Sequence, residues 1–157
     1  MAKPWRAAPQ RPYKARDPRI TSAIMARVKG KDNKAEVALR KELWNRGFRY
    51  RLYKKGMPGR PDLVFVKYKV VVFVDGDFWH GRALLQDGVE GLKRGIRTSR
   101  GEWWLKKIGG NVARDRRITE LLRKQHWRVL RVWESEVLSN VSRAADKVSK
   151  FIQRSTR

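Results

Sequence analysis

The stretch that decides the fold runs from Gly59 to Gly81, GRPDLVFVKYKVVVFVDGDFWHG. Its centre holds two apolar runs, LVFV at 63–66 and VVVFV at 70–74, joined by Lys67, Tyr68 and Lys69, a connection of hairpin length. The second run is apolar at every position, so both of its faces are expected to be covered, as in a central strand with layers above and below. Asp62 opens the first strand behind Pro61, which forces Arg60 into an extended conformation. Asp75 closes the second. Antiparallel pairing returns the end of a hairpin to the level of its beginning, so both carboxylates are expected at one rim of the sheet.

Outward from this hairpin, the pattern is helical on the N-terminal side. A short helix is expected from Asp17 through Ile20, Ala23, Ile24 and Val28, ending near Gly30. A second starts at Asp32 or Asn33, carries Leu39, Leu43 and Trp44 as its apolar stripe, and stops at Gly47 before the basic extended segment FRYRLYKK. On the C-terminal side, residues 81–101 are glycine-rich, polar and without a clear period, and read as a long, mobile, functional loop. Glu102 to about Gln125 reads as a long helix with Trp104, Ile108, Ile118 and Leu122 near one face and Gly109–Gly110 as a weak point. WRVLRVW is a strand, and SEVLSNVSRAADKVSKFI a closing amphipathic helix with Val137, Val141, Ala144, Val148 and Ile152 on one side. The order predicts an α/β domain, a mixed central β-sheet flanked by α-helices, over residues 20–157. Residues 1–19, with four of the six prolines and six basic residues, read as a disordered basic arm.

Composition narrows the partners. Across 157 residues, 39 lysines and arginines face 15 acidic residues, a formal charge of +24, which points to a polyanion and to nucleic acid first. No apolar run approaches the roughly 20 residues needed to span a bilayer and no signal peptide opens the chain, so a cytoplasmic protein without a membrane partner is expected. Without cysteine there is no disulfide framework, no thiol nucleophile and no cysteine zinc site.

Several residues carry candidate chemistry, each with a plainer alternative. Asp62 and Asp75 at one rim suit Mg2+, which prefers oxygen ligands and keeps waters that a phosphate can displace; alternatively one caps a turn and the other sits beside Gly76. His80, just past the second strand, is placed for general acid or base work, where a packed surface histidine is the alternative. Glu36 falls in line with Leu39 and Leu43 and should face the covered side of its helix, although Asn33 to Glu36 also spells a capping box. Asp115 lies eleven residues after Trp104, three helical turns, and so shares its face; its arginine neighbours also suit a salt-bridge network. Phe78 and Trp79 follow glycine in a turn, where they fit either a satellite apolar cluster or insertion between base steps.

From Thr21 to Glu134 the chain resembles the very short patch repair (Vsr) DNA mismatch endonucleases, a branch of the restriction-endonuclease-like superfamily. The resemblance runs through MARVKGKDNKAEVALRKEL, GMPGRPDLVF, VVVFVDGDFWHG, WWLKKIGGNVARDRR and WRVLRVWE. It implies a monomeric Mg2+-dependent nuclease that nicks one strand of duplex DNA beside a thymine mispaired with guanine. By position, Asp62 and the Val74 carbonyl would hold the metal, His80 would be the catalytic histidine, and Glu36 and Asp115 would support it. Phe78, Trp79 and Trp104 match intercalating aromatics, and Met25 and Val28 match apolar wedges from the opposite groove. Asp75 stands where the family commonly has histidine, which suggests an added carboxylate ligand. Asp77 replaces a zinc-ligand cysteine, so the family's structural zinc is not expected. Glu36, Asp62, His80 and Asp115 also resemble a class of homing endonucleases that cut fully paired sites, and a non-catalytic nucleic-acid-binding protein would share the charge and the aromatics.

Overall fold

The computed structural model of the chain describes residues 32–96 and 101–154. The expected basic arm, the helix from Asp17, and Met25 and Val28 lie outside the described residues. In order, the elements are α1 (Lys34–Asn45), β1 (Arg51–Leu52), β2 (Leu63–Phe65), β3 (Val70–Asp75), α2 (Arg82–Gly95), α3 (Gly101–Lys124), β4 (Arg128–Trp133), α4 (Glu134–Ser139) and α5 (Val141–Gln153).

The sheet is mixed, with order β1-β2-β3-β4. β2 and β3 form the expected antiparallel pair, Leu63 opposite Val72 and Phe65 opposite Val70. β4 lies parallel to β3 on its other edge, Val70 opposite Arg128 and Asp75 opposite Trp133. β3 is therefore interior, and all six of its residues are buried. Side chains alternate across a strand, and the core divides accordingly. Leu63, Phe65, Val70, Val72 and Val74 pack with α1, α4 and α5 on one face. Val64, Val71 and Phe73 pack with Leu122 and Trp127 on the other, under α3. Asp75 and Arg131 belong by parity to the α3 face.

Six expectations need correction. Arg60, before Pro61, is left-handed (φ 49°) and not extended. Residues 81–101 are not a loop: α2 occupies 82–95, broken by a kink at Gly88 (φ 68°, ψ −161°) that puts its two halves out of phase and hides a single helical period. The first strand ends at Phe65, because Val66–Tyr68 form a 3-10 turn and Lys69 adopts a left-handed conformation (φ 52°) to reverse the chain. The closing segment is two helices, since Asn140 leaves the helical conformation and its side chain accepts the Arg143 N–H at 2.9 Å as a new N-cap. Trp44 is half exposed under the Arg49 guanidinium, 3.9 Å away, and the buried stripe of α1 is Ala35, Leu39 and Leu43. Gly109 and Gly110 interrupt nothing; α3 runs straight through them.

Candidate active site

The turn after β3 is built around Gly76–Gly81. His80 N–H donates to the Gly76 carbonyl (3.0 Å), Gly81 N–H to Phe78 (3.2 Å) and Arg82 N–H to Asp77 (2.9 Å), which winds the segment into α2. Gly81 has φ +70°, and a Cβ there would lie 2.7 Å from Val112 Cγ2 and 2.9 Å from Ile108 Cγ2. Only glycine meets both demands, so the turn seats directly on α3. Asn111 fastens it by donating from Nδ2 to the Trp79 carbonyl at 2.9 Å.

This seating brings His80 to Asp115. His80 Nδ1 lies 2.6 Å from Asp115 Oδ2 and 3.6 Å from Asp75 Oδ1. Burial favours a neutral imidazole, yet the Asp115 hydrogen bond and the Asp75 and Asp115 charges outweigh it and raise the His80 pKa. For Asp115, burial pushes upward, but the His80 bond and the Arg131 and Arg114 charges bring the pKa below its ordinary value. An ionised Asp115 accepts, so Nδ1 carries the proton and Nε2 is the imidazole's remaining acceptor.

Asp62 stands across the β2–β3 pair, where its Oδ2 accepts the Val74 N–H at 2.7 Å. Burial, with the charges of Glu36 and Asp75, pushes its pKa up to about 7 against the opposing Val74 bond and His80 charge. Among the described residues no lysine or arginine pairs with it. Glu36 is almost wholly buried (1 % exposed) on α1, as its alignment with Leu39 and Leu43 suggested. It is engaged on both oxygens: Oε2 accepts the Asp32 N–H at 3.0 Å, and Oε1 accepts from the Tyr53 hydroxyl and from Arg40 Nη1. Asn33 Oδ1 accepts the Glu36 N–H at 2.7 Å, so the cap and the buried acid coexist.

The sequence did not reveal Arg131. Its Nη1 donates to both oxygens of Asp75 (2.9 and 2.8 Å), lies 3.7 Å from Asp115 Oδ2, and its guanidinium covers the Phe73 ring at 4.3 Å. In WRVLRVW it reads as an ordinary outward arginine of an alternating strand; the available signal was its place beside a strand that ends in an acid. His80, Asp115 and Arg131 line two clefts, of about 350 and 520 Å³.

Phe78, Trp79 and Trp104 form one cluster with centroids 5.2–5.8 Å apart, Phe78 edge-to-face with both tryptophans and these tilted on each other, and Trp103, which sequence reading also passed over, adds a fourth ring 4.7 Å from Trp104. Phe78 and Trp103 are exposed.

Asp77 lies in an ion pair. Its Oδ1 accepts from Arg82 Nη1 (2.7 Å) and Ser135 Oγ (2.5 Å), and its Oδ2 from the Ser135 N–H (3.0 Å). These donors include no thiol or imidazole and do not fit zinc. No cluster of three or more metal-ligating side chains is found among the described residues. No described helix is long and apolar enough to cross a membrane.

The family model described as "DNA mismatch endonuclease Vsr" matches residues 14–86. The type II nicking enzyme V.NmeDIP of Neisseria meningitidis serogroup C is 40% identical over 136 residues, 87% of this chain and 88% of that one. The type II nicking enzyme V.HpaIIP of Haemophilus parainfluenzae is 35% identical over 129 residues, 82% of this chain and 87% of that one. The DNA mismatch endonuclease Vsr of Escherichia coli is 37% identical over 118 residues, 75% of this chain and 71% of that one.

Proposed function

The chain belongs to the Vsr family of DNA mismatch endonucleases and is a DNA endonuclease, and from that premise we propose that it nicks one strand of duplex DNA at a T:G mismatch with the help of Mg2+. The observation that carries this reading is the 2.6 Å pairing of His80 with Asp115 beside the strand end where Asp62 accepts the Val74 N–H and feels the His80 charge.

Asp62 fits a divalent cation: it is a buried carboxylate that other acids face and that no described lysine or arginine pairs with. Asp62 and the Val74 carbonyl would hold Mg2+, leaving its other positions to water and phosphate. Once bound, Mg2+ supplies a Lewis acid that polarises the phosphate and stabilises the charge that develops on it. His80 exchanges a proton through Nε2 with the attacking water or the leaving oxygen, while Asp115 fixes the ring and its tautomer through Nδ1. The water oxygen bonds to phosphorus as one backbone P–O bond breaks. Glu36, whose charge helps to raise the Asp62 pKa, would support the bound cation from α1. The exposed edge of the aromatic cluster enters the base stack, where kinking or unstacking costs least at a weak pair.

A second reading is a fully paired target. It is favoured by Asp75 and Asp77, the positions at which the chain leaves the repair pattern. Purified protein with Mg2+ on two otherwise identical duplexes, one T:G mismatched and one fully paired, separates the two. Mismatch-dependent nicking of one strand is expected; equal cutting of both duplexes removes the mismatch claim.

A further inference from the structure

Sequence reading offers Asp75 as a metal ligand, but its surroundings suit another task. Asp75 is 4 % exposed, and both of its oxygens accept from one nitrogen of Arg131. A carboxylate shared in this way with a guanidinium at 2.8–2.9 Å is poorly placed to bind a second cation. The pairing also fixes Arg131 itself. Its guanidinium lies over the Phe73 ring, Nε reaches Thr119 Oγ1 at 3.4 Å, and Nη1 is held by Asp75. Nη2 donates to none of the described residues. Arg131 lines both clefts together with His80 and Asp115, so its guanidinium belongs to the surface that a DNA backbone must approach if His80 is to reach it.

We propose that Asp75 is an anchor, not a metal ligand, and that it holds Arg131 as a fixed cation whose Nη2 binds a non-bridging oxygen of the phosphodiester beside His80. Arg131 is then a catalytic residue and Asp75 a positioning residue. A guanidinium suits this role because it stays charged at every working pH and presents donors in a planar fork that matches phosphate. Held by Asp75 and Phe73, it loses little freedom when DNA arrives, and such preorganised charge is where electrostatic catalysis gains most. The inference rests on the endonuclease reading, and its tests separate the two.

Two readouts are needed, one of which involves no catalysis. The first is Mn2+ binding to the DNA-free protein, followed by electron paramagnetic resonance, for wild type, Asp62→Asn and Asp75→Asn/Arg131→Met. Removing both members of the buried pair leaves no uncompensated charge, so the double variant is the one expected to fold, as its melting curve will report. It should bind Mn2+ like wild type while Asp62→Asn does not; loss of binding by the folded double variant makes Asp75 a ligand and overturns the proposal. The second is single-turnover nicking of saturating duplex, alongside affinity for the same duplex in Ca2+. The double variant and Arg131→Met should each nick about 100-fold more slowly with affinity little changed, and Arg131→Lys should recover part of the rate. A double variant nicking at the wild-type rate overturns the proposal. If wild type fails to nick any duplex, the endonuclease reading falls, and the Mn2+ measurement still decides what Asp75 does.

Discussion

His80 Nδ1 and Asp115 Oδ2 lie 2.6 Å apart across the seam between the β3 turn and α3. The two residues are 35 positions apart in sequence, and their pairing joins the hairpin to the helix that covers it. The His80 pKa is raised and that of Asp115 lowered. A raised histidine contributes stability that is complete below its unfolded value and lost as pH rises through its folded one. A lowered aspartate contributes stability present above its unfolded value and lost as pH falls through its folded one. The pair should therefore stabilise most between about pH 4 and 6.5. The difference in unfolding free energy between wild type and His80→Gln, measured from acid to alkaline pH, should peak in that window; a flat difference contradicts the pairing. The same imidazole serves the reaction, so His80→Ala should slow nicking by about 100- to 10,000-fold.

Gly81 is the steric condition for that pairing. Alanine there must adopt φ +70° and meet Val112 and Ile108 within 3 Å. Gly81→Ala should cost about 2–4 kcal/mol, combining a left-handed conformation with overpacking. Urea unfolding measures this directly. Gly109→Ala, where a Cβ meets nothing within 4 Å, is the control and should leave stability unchanged or slightly raise it.

The rings of Phe78 and Trp103 are exposed at the edge of a cluster whose inner members are Trp79 and Trp104. Phe78→Ala and Trp103→Ala should weaken duplex binding by about 1–3 kcal/mol for each ring that stacks on a base, with melting temperature little changed. Trp104→Ala should lower both affinity and stability, because Trp104 touches each of the other three rings. Unchanged affinity in all three would make the cluster purely structural.

Much of this architecture was legible because it is written in local chemistry. An unbroken apolar run such as VVVFV fits an interior strand, and three residues between two runs leave room only for a tight reversal. Glu36 could be placed on the covered side of α1 because helical spacing aligns it with Leu39 and Leu43. The misses share a different cause. α2 is two short helical pieces whose phase shifts at Gly88, so no window shows a steady period. Asn140 breaks one apolar stripe into two helices through its own capping bond, a local competition that stripe spacing does not register. Arg131 meets Asp75 through the parallel pairing of β3 with β4, 56 residues apart. Nothing local to either residue announces such a contact.

The central claim is that Asp62 supplies the metal-binding carboxylate of a nicking endonuclease, and Asp62→Asn tests it most directly, since it keeps side-chain volume and removes only the charge. The measurement is the single-turnover nicking rate of a T:G-mismatched duplex in Mg2+, for wild type and Asp62→Asn, at protein concentrations that saturate binding. The account predicts that Asp62→Asn binds the duplex normally and nicks it about a thousandfold more slowly or not at all. Nicking by Asp62→Asn at a rate close to wild type would contradict it.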